Sequence, residues 1–285
     1  YLQREILKKQ WGFKGFIVSD WGSLREMMDH GYAKDRKHAG ELALNGGSDM
    51  DMESTIYIEE LSNLINEGKI NIEQIDDAVR RILLVKFELG LFDDPYRYCD
   101  LVREKKITGS KEIMDGALEM AKKSIVLLKN NKKLLPLKKN GQKIALIGPL
   151  AADKNSPLGN WRVAADNNTA VSVLEGLSHY TGNEITHSQG IRLVNKIPDG
   201  FHEEVQINNT DKTGILEAKE VAKKADVVIM VLGEYGFQSG EGRSIANLDL
   251  PGFQQELLEE IHKVNSNIVL VLMNGRPLTL DWSSS

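Results

Sequence analysis

The sequence predicts an α/β chain built in two parts, and three observations carry that prediction. A short apolar run, Phe16-Ile-Val18, stops abruptly at Ser19-Asp-Trp-Gly22, as a strand buried on both faces does where it leaves a parallel sheet. Three further runs, Ile144-Ala-Leu-Ile147, Val227-Val-Ile-Met-Val-Leu232 and Ile268-Val-Leu-Val-Leu272, recur in the second half, with helical patterns ahead of the last two. Such alternation gives a sheet covered by helices. Between the halves, Asp93-Asp-Pro-Tyr96 turns the chain into a polar stretch without a clear period, Asp100-Leu-Val-Arg-Glu-Lys-Lys106, where an interdomain linker is expected. The domain limits read from this are 1–95, a linker at 96–110, and 111–285.

At 285 residues, 41% hydrophobic and 27% charged, the chain is long enough for two cores. Its net charge of -5 argues against nucleic acid, and no basic run is interleaved with aromatics. No apolar stretch reaches the length that crosses a bilayer, so no membrane partner is expected. The lone Cys99 excludes an internal disulfide and fits a cytosolic or a disulfide-free periplasmic setting. The chain opens in a helical pattern, Leu2, Ile6 and Leu7, with no secretory signature, and closes on Trp282-Ser-Ser-Ser just after a strand. An internal fragment of a longer protein is expected.

In chain order, Phe16 to Val18 supply the first strand, and Asp20 stands at the end where parallel α/β architectures do their chemistry. Ser23, with Glu26 three residues later, reads as the capping box of the following helix, which leaves Asp20 without an obvious structural duty. The pattern alone does not separate it from an ordinary loop aspartate. Ala33 to Leu44 reads as a helix stopped by Asn45-Gly-Gly. In Ser48-Asp-Met-Asp-Met-Glu53 acids alternate with methionines, which puts carboxylates on one side of a strand and sulfur on the other. Asp49, Asp51, Glu53 and Glu60 approach calcium-loop spacing, but Ser54 stands where that loop needs glycine and the next helix begins too early.

Ile56 to Glu67 is a helix ended by Gly68, and Asn71 with Gln74 opens another that runs to Leu89 and stops at Gly90. On it Ile72, Ile75, Val79, Ile82 and Leu83 make one apolar face, with Arg80, Arg81 and Lys86 outside. In the second half a helix from Lys111 to Lys123 leads into Ile125-Val-Leu-Leu128, and Leu134-Leu-Pro-Leu137 is a short apolar return. Ile215 to Lys224 and Phe253 to Val264 read as helices, Pro251 standing at the start of the latter. Ile147-Gly-Pro-Leu-Ala-Ala-Asp153 follows a strand but lacks the dinucleotide-binding glycines, and no P-loop motif exists. The histidines, His30, His38, His179, His187, His202 and His262, show no paired ligand spacing, so neither a metal nor another cofactor is expected. No G-x-S-x-G elbow exists for a serine hydrolase. The run Val227 to Leu232 ends in Gly233-Glu-Tyr-Gly-Phe-Gln-Ser-Gly-Glu-Gly-Arg-Ser244, a glycine-rich loop expected to be mobile enough to reach a neighbouring domain. It offers two acids, Glu234 and Glu241, and Glu241 taken alone reads as a solvated loop acid.

Read as W-G-F-K-G-F-I-V-S-D-W-G, Trp11 to Gly22 resembles the nucleophile segment of glycoside hydrolase family 3, the β-glucosidase family. The family's second domain is similar to the run from Ala121-Lys-Lys-Ser-Ile-Val-Leu-Leu-Lys-Asn130 through Leu134 to Ile144-Ala-Leu-Ile-Gly-Pro-Leu150. The resemblance is weakest between Ile185 and Thr213. It implies the C-terminal part of a (β/α)8 TIM-type barrel followed by an α/β sandwich truncated at its C-terminus. By the same resemblance, Asp20 matches the aspartate that attacks the anomeric carbon, and Trp21 a tryptophan that walls the sugar site. Met52 and Glu53 lie in the segment matching the last barrel strand and are candidates to line the site, packing or capping being the alternative. Counting back from Pro251, Glu241 matches the general acid/base, with Glu234 as a structural anchor. Trp161 is a candidate second flat face for the sugar, a buried core tryptophan being the alternative.

The implied function is a retaining β-glucosidase that releases terminal non-reducing β-D-glucosyl residues through a covalent glycosyl-enzyme. One carboxyl must protonate a poor leaving group while the other stays ionised and attacks, the two standing about 5 to 5.5 Å apart. Hydrogen-bond donors around Asp20 are expected to keep it ionised, and an apolar sugar platform to keep Glu241 protonated until cleavage, after which it activates water. The site is then interdomain. Expected partners are a β-glucoside or oligosaccharide and the missing N-terminal barrel and C-terminal segments of the same chain, without which the fragment is inactive. A closely similar class within the family is the periplasmic β-glucosidase of Gram-negative bacteria, and by that resemblance a periplasmic or secreted location is expected. The rivals are a β-xylosidase or other exo-β-glycosidase, a family N-acetylglucosaminidase, and a non-catalytic carbohydrate-binding homologue.

Overall fold

The runs expected as strands behave differently in the two halves of the computed structural model, which describes residues 1–131, 133–162, 165–198 and 203–284. The chain divides into two units, Tyr1–Ser124 and Ile125–Ser285.

In the first unit, π-type helical turns at Leu2–Gln10 lead to the extended run at Phe16–Val18. Its parallel neighbour is the acid and methionine segment, joined by a bridge between Val18 and Met50. The Asp49 and Met50 N–H groups donate to the Ile17 carbonyl at 2.8 and 3.1 Å, and the Ser19 N–H to that of Met50 at 2.9 Å. The expectation of a strand buried on both faces fails here. Val18 is 39% exposed, and Phe16 and Ile17 are half-buried. Apolar side chains bury only where something packs on each face, and segment 48–52 covers one flank.

Helices α1 (Ser23–Asp29), α2 (Arg36–Gly46), α3 (Ile56–Asn66) and α4 (Ile72–Glu88) follow. The capping residue of α1 is Gly22 at φ 67 rather than Ser23. The Ser23 N–H donates to the Asp20 carbonyl at 3.2 Å, so Ser23 already lies inside the first turn. Helix α2 starts later than expected because Asp35 caps it, accepting the His38 N–H at 2.8 Å, and it ends at Gly47 with φ 110. The Gln74 side chain accepts the Asn71 N–H at 2.9 Å at the head of α4, as read. Leu24, Ala33, Ala39 and Ile56 pack into one core cluster, and Leu44, Leu64 and Ile70 into a second.

The apolar face of α4 is turned from the expected one. Ala78 is buried while Ile72, Val79 and Leu83 are 50%, 47% and 45% exposed. The stripe is wider than its packing surface, so only part of it finds a partner. Arg81, expected outside, is drawn in to donate to the Phe13 and Gly15 carbonyls at 3.0 and 3.1 Å. Helix α5 (Leu101–Ile107), capped by Asp100, falls within the segment read as linker, and α6 (Lys111–Ser124) closes the first unit.

The second unit carries, among the described residues, a parallel sheet of β1 (Lys143–Ile147), β2 (Glu184–Ser188), β3 (Val227–Gly233) and β4 (Ile268–Met273) in the order β2-β1-β3-β4. The whole of β3 is buried. Side chains alternate across the sheet. Ala145, Ile147, Val228, Met230 and Leu232 form one layer with helices α8 (Ile215–Lys223) and α9 (Gln254–His262), while Ile144, Leu146, Ile229 and Val231 form the other with Leu150, Tyr235 and Phe237. Each fully buried Val, Leu, Ile or Met among them contributes roughly 1.5–3 kcal/mol.

Strand β2 and the short helices α7 (Val173–Ser178) and α10 (Asp281–Ser284) carried no apolar run and went unread. Ile125 to Leu128 form no regular element and are exposed. Helix α9 starts at Gln254, so Pro251 precedes it rather than opening it. Two glycines let the strands close up. A Cβ on Gly148 (φ 130) would lie 2.2 Å from the Val231 carbonyl oxygen, and one on Gly233 (φ 139) 1.9 Å from that of Met273. The glycine that resembled a phosphate-loop residue therefore serves strand packing.

Candidate active site

Asp20 lies exposed where segment 16–18 leaves its parallel pairing. Its Oδ1 accepts the Trp21 N–H at 2.7 Å, and its carbonyl accepts the Ser19 hydroxyl at 3.0 Å. The loop is then tied to the neighbouring segment twice, through Met52 N–H to Ser19 Oγ at 2.8 Å and Gly22 N–H to the Met52 carbonyl at 2.9 Å. Asp20, Trp21 and Met52 are thus brought together by the backbone. Trp21 is 67% exposed and Met52 half-buried. Glu53 takes a left-handed backbone at φ 72 and pairs with Arg25 at 3.1 Å.

A buried ion pair fixes the floor of this arrangement. Lys8 Nζ lies 2.5 Å from Asp49 Oδ1, with side chains 6% and 4% exposed, and donates to the Gly47 carbonyl at 2.9 Å. The other Asp49 oxygen accepts the Ile17 N–H at 2.9 Å. Tyr57 donates its hydroxyl to the Ser48 carbonyl at 2.8 Å, and burial pushes its phenol far above the ordinary range. The acids that approached calcium spacing are spent separately: Asp49 on Lys8, Glu53 on Arg25, Asp51 on the Tyr57 N–H. Among the described residues no three His, Cys, Asp or Glu side chains stand together as a metal set; His202 lies outside them. No helix among them is long and apolar enough to cross a membrane.

Glu241 lies exposed in the loop after β3, in the second unit. The loop's first half is not the free arm expected from its glycines. Glu234, Tyr235, Phe237 and Gln238 are all buried. Gly236 lies against the backbone of Ser156, whose hydroxyl accepts its N–H at 3.0 Å, and Gly240 lies against the side chain of Asn160. The glycines provide close approach here, not freedom. Gln254, fully buried, accepts the Gly233 N–H at 2.8 Å and donates to its carbonyl at 2.7 Å, closing the strand end. Trp161 is 65% exposed, which removes the buried-core alternative, and the side chain of its neighbour Asn160 lies against Gly240, next to Glu241.

Sequence reasoning missed Arg276. It pairs through Nε with the buried Glu234 at 2.9 Å and donates to two loop carbonyls. The signal that singled out Asp20, polar residues directly after an apolar run, was present in Asn274-Gly-Arg-Pro277 as well.

Residues 125–285 match the glycosyl hydrolase family 3 C-terminal domain and residues 1–85 the N-terminal domain of that family. A periplasmic beta-glucosidase of Salmonella typhimurium is 38% identical over 98% of this chain, which spans 38% of that protein. A beta-xylosidase of Formosa agariphila is 36% identical over 99% of the chain, which spans 39% of it. The crystal structure of a beta-glucosidase from Listeria innocua in complex with glucose shares 34% identity at a TM-score of 0.84, covering 99% of this chain and 36% of that one. The chain thus spans less than two-fifths of the length of these relatives.

Proposed function

The chain belongs to glycosyl hydrolase family 3, and on that premise we propose that the protein containing it is a retaining, exo-acting β-glucosidase. The observation that carries this reading is Asp20, an exposed carboxylate at the end of a parallel-paired segment whose backbone is tied down on both sides. It is assigned as the nucleophile that forms the glycosyl-enzyme, and Glu241 as the general acid that protonates the leaving oxygen and then activates water. Trp21 and Trp161 serve as flat walls for the apolar faces of the sugars, with Met52 beside Asp20.

In this reading the first unit is the C-terminal part of a (β/α)8 barrel and the second an α/β sandwich. The glucosidase names of the Salmonella and Listeria relatives support glucose as the sugar, and the periplasmic relative supports export. The Formosa beta-xylosidase supports a second reading, the same chemistry on β-xylosides. Rates of the parent protein on matched aryl β-glucosides and β-xylosides decide between them.

The mechanism is tested by substitution in the parent protein. Asp20→Asn should lose on the order of 10³-fold or more in kcat/KM. Undiminished hydrolysis ends the nucleophile assignment. Glu241→Gln should lose roughly 10²–10⁴-fold on poor leaving groups and far less on activated ones, and equal losses on both would end the acid assignment.

A further inference from the structure

The buried pair beneath the loop takes no part in the chemistry proposed above, yet its geometry converges on the loop's tip. Glu234 and Arg276 have side chains 3% and 17% exposed. Arg276 Nε lies 2.9 Å from Glu234 Oε1 as an ion pair, without a hydrogen bond of its own, while the Gly275 N–H donates to Oε2 at 3.2 Å. The two terminal nitrogens of Arg276 reach the loop backbone. Nη1 donates to the Arg243 carbonyl at 3.1 Å and Nη2 to the Gln238 carbonyl. Gln238 and Arg243 stand on either side of Glu241, so one planar group grips both arms of the tip.

Between those arms the chain turns sharply. The Arg243 N–H donates to the Gly240 carbonyl at 3.2 Å, and Gly242 at φ 68 supplies the left-handed residue of a type II-like turn. Glu241 occupies the second position of that turn, so its direction follows from where the arms are held. Arg243 extends the grip by donating to the Glu203 carbonyl at 2.7 Å. A guanidinium suits this duty because its donors are fixed in one plane, whereas an ammonium is a point charge on a flexible stem.

We propose that Arg276, paired in charge with buried Glu234, is a positioning residue that aims the Glu241 carboxyl by clamping the carbonyls of Gln238 and Arg243. This rests on the reading of Glu241 as the acid/base. Arg276→Lys isolates the clamp, because lysine keeps a cation beside Glu234 and so avoids an unpaired buried carboxylate, but cannot hold both carbonyls. In the parent protein its kcat/KM should fall about 10- to 100-fold on an alkyl β-glucoside and by less than about 3-fold on 2,4-dinitrophenyl β-glucoside, which needs little acid assistance. A glutamate-specific protease should cut the native variant after Glu241 faster than the unaltered protein. Equal losses on the two substrates, as a merely destabilised protein would give, or unchanged cleavage after Glu241, overturns the proposal. Glu241→Gln runs alongside. If it shows leaving-group dependence and Arg276→Lys does not, the clamp alone is wrong; if it shows none, the acid/base reading falls and the positioning role falls with it.

Discussion

The two halves of the chain hold their exposed acids by different physics. Around Asp20 the work falls to long cationic side chains that reach backbone carbonyls: Arg4 to Asn45, Lys8 to Gly47, Arg36 to Ser54, Arg81 to Phe13 and Gly15. Behind Glu241 it falls to a parallel sheet whose central strand is wholly buried and whose glycines allow backbone to touch backbone, with guanidinium ties added only at the loop's tip. The difference teaches how each half answers the demand that buried carbonyls find donors. Where neighbouring strands supply the donors, stability is spread over many apolar contacts. Where segment 16–18 has, among the described residues, one pairing segment beside it, a few part-buried polar ties carry the order, and each matters more.

The sharpest way to break this contrast is Asp49→Ala, which leaves Lys8 buried without its carboxylate. A loss of about 3–5 kcal/mol is expected, read as faster amide exchange at Ile17 and Met50 and a lower denaturation midpoint; unchanged exchange at Ile17 would show that the polar ties are ornamental. Gly233→Ala probes the other half. A Cβ there meets the Met273 carbonyl oxygen at 1.9 Å on a backbone of φ 139, so β3 and β4 must separate, at a cost of about 3 kcal/mol. An alanine variant of unaltered stability would show that the sheet yields more than its contacts suggest. Arg81→Met removes the donor to the Phe13 and Gly15 carbonyls while keeping an apolar stem, and should cost about 1–2 kcal/mol. The loss should be confined to exchange in the first half.

The smallest effect concerns the edge strand. Burial holds the His187 imidazole below its ordinary value, with the charge of Glu217 opposing. The unfolded chain therefore takes up the proton first as pH falls, so this contribution to stability is whole above about pH 6.5 and is lost as pH drops through the lower folded value. His187→Gln should flatten the stability profile just below pH 6.5 while leaving the carboxylate-dependent fall at lower pH; an unchanged slope would place the titration elsewhere.

Strands β1, β3 and β4 were legible because each is an unbroken apolar run, wholly buried in β3 and half-buried in β4 at the sheet's other edge. Strand β2 was not, because Glu184-Ile-Thr-His-Ser188 lies at the sheet edge and alternates exposed with more buried positions. Helix ends at Gly68 and Gly90 were readable from their glycines, which adopt φ 66 and 69. The start of α1 misled because Gly22, not the chemically better cap Ser23, has the backbone the turn requires. Asp20 could be singled out locally, as a polar break after an apolar run. Arg276 could not be tied to Glu241 by any local pattern, since the contact joins loops from two different strands and is visible only once β3 and β4 are neighbours.

The amide of Gln254 has a consequence for how this scaffold can vary. It satisfies both backbone groups of Gly233 from a helix outside the loop, so the sheet's closing hydrogen bonds do not depend on what the chain does between Ser239 and Asp249. The aim of Glu241 can therefore be retuned through the Gln238 and Arg243 carbonyls that Arg276 grips, while the strand end beneath stays closed as a fixed mount.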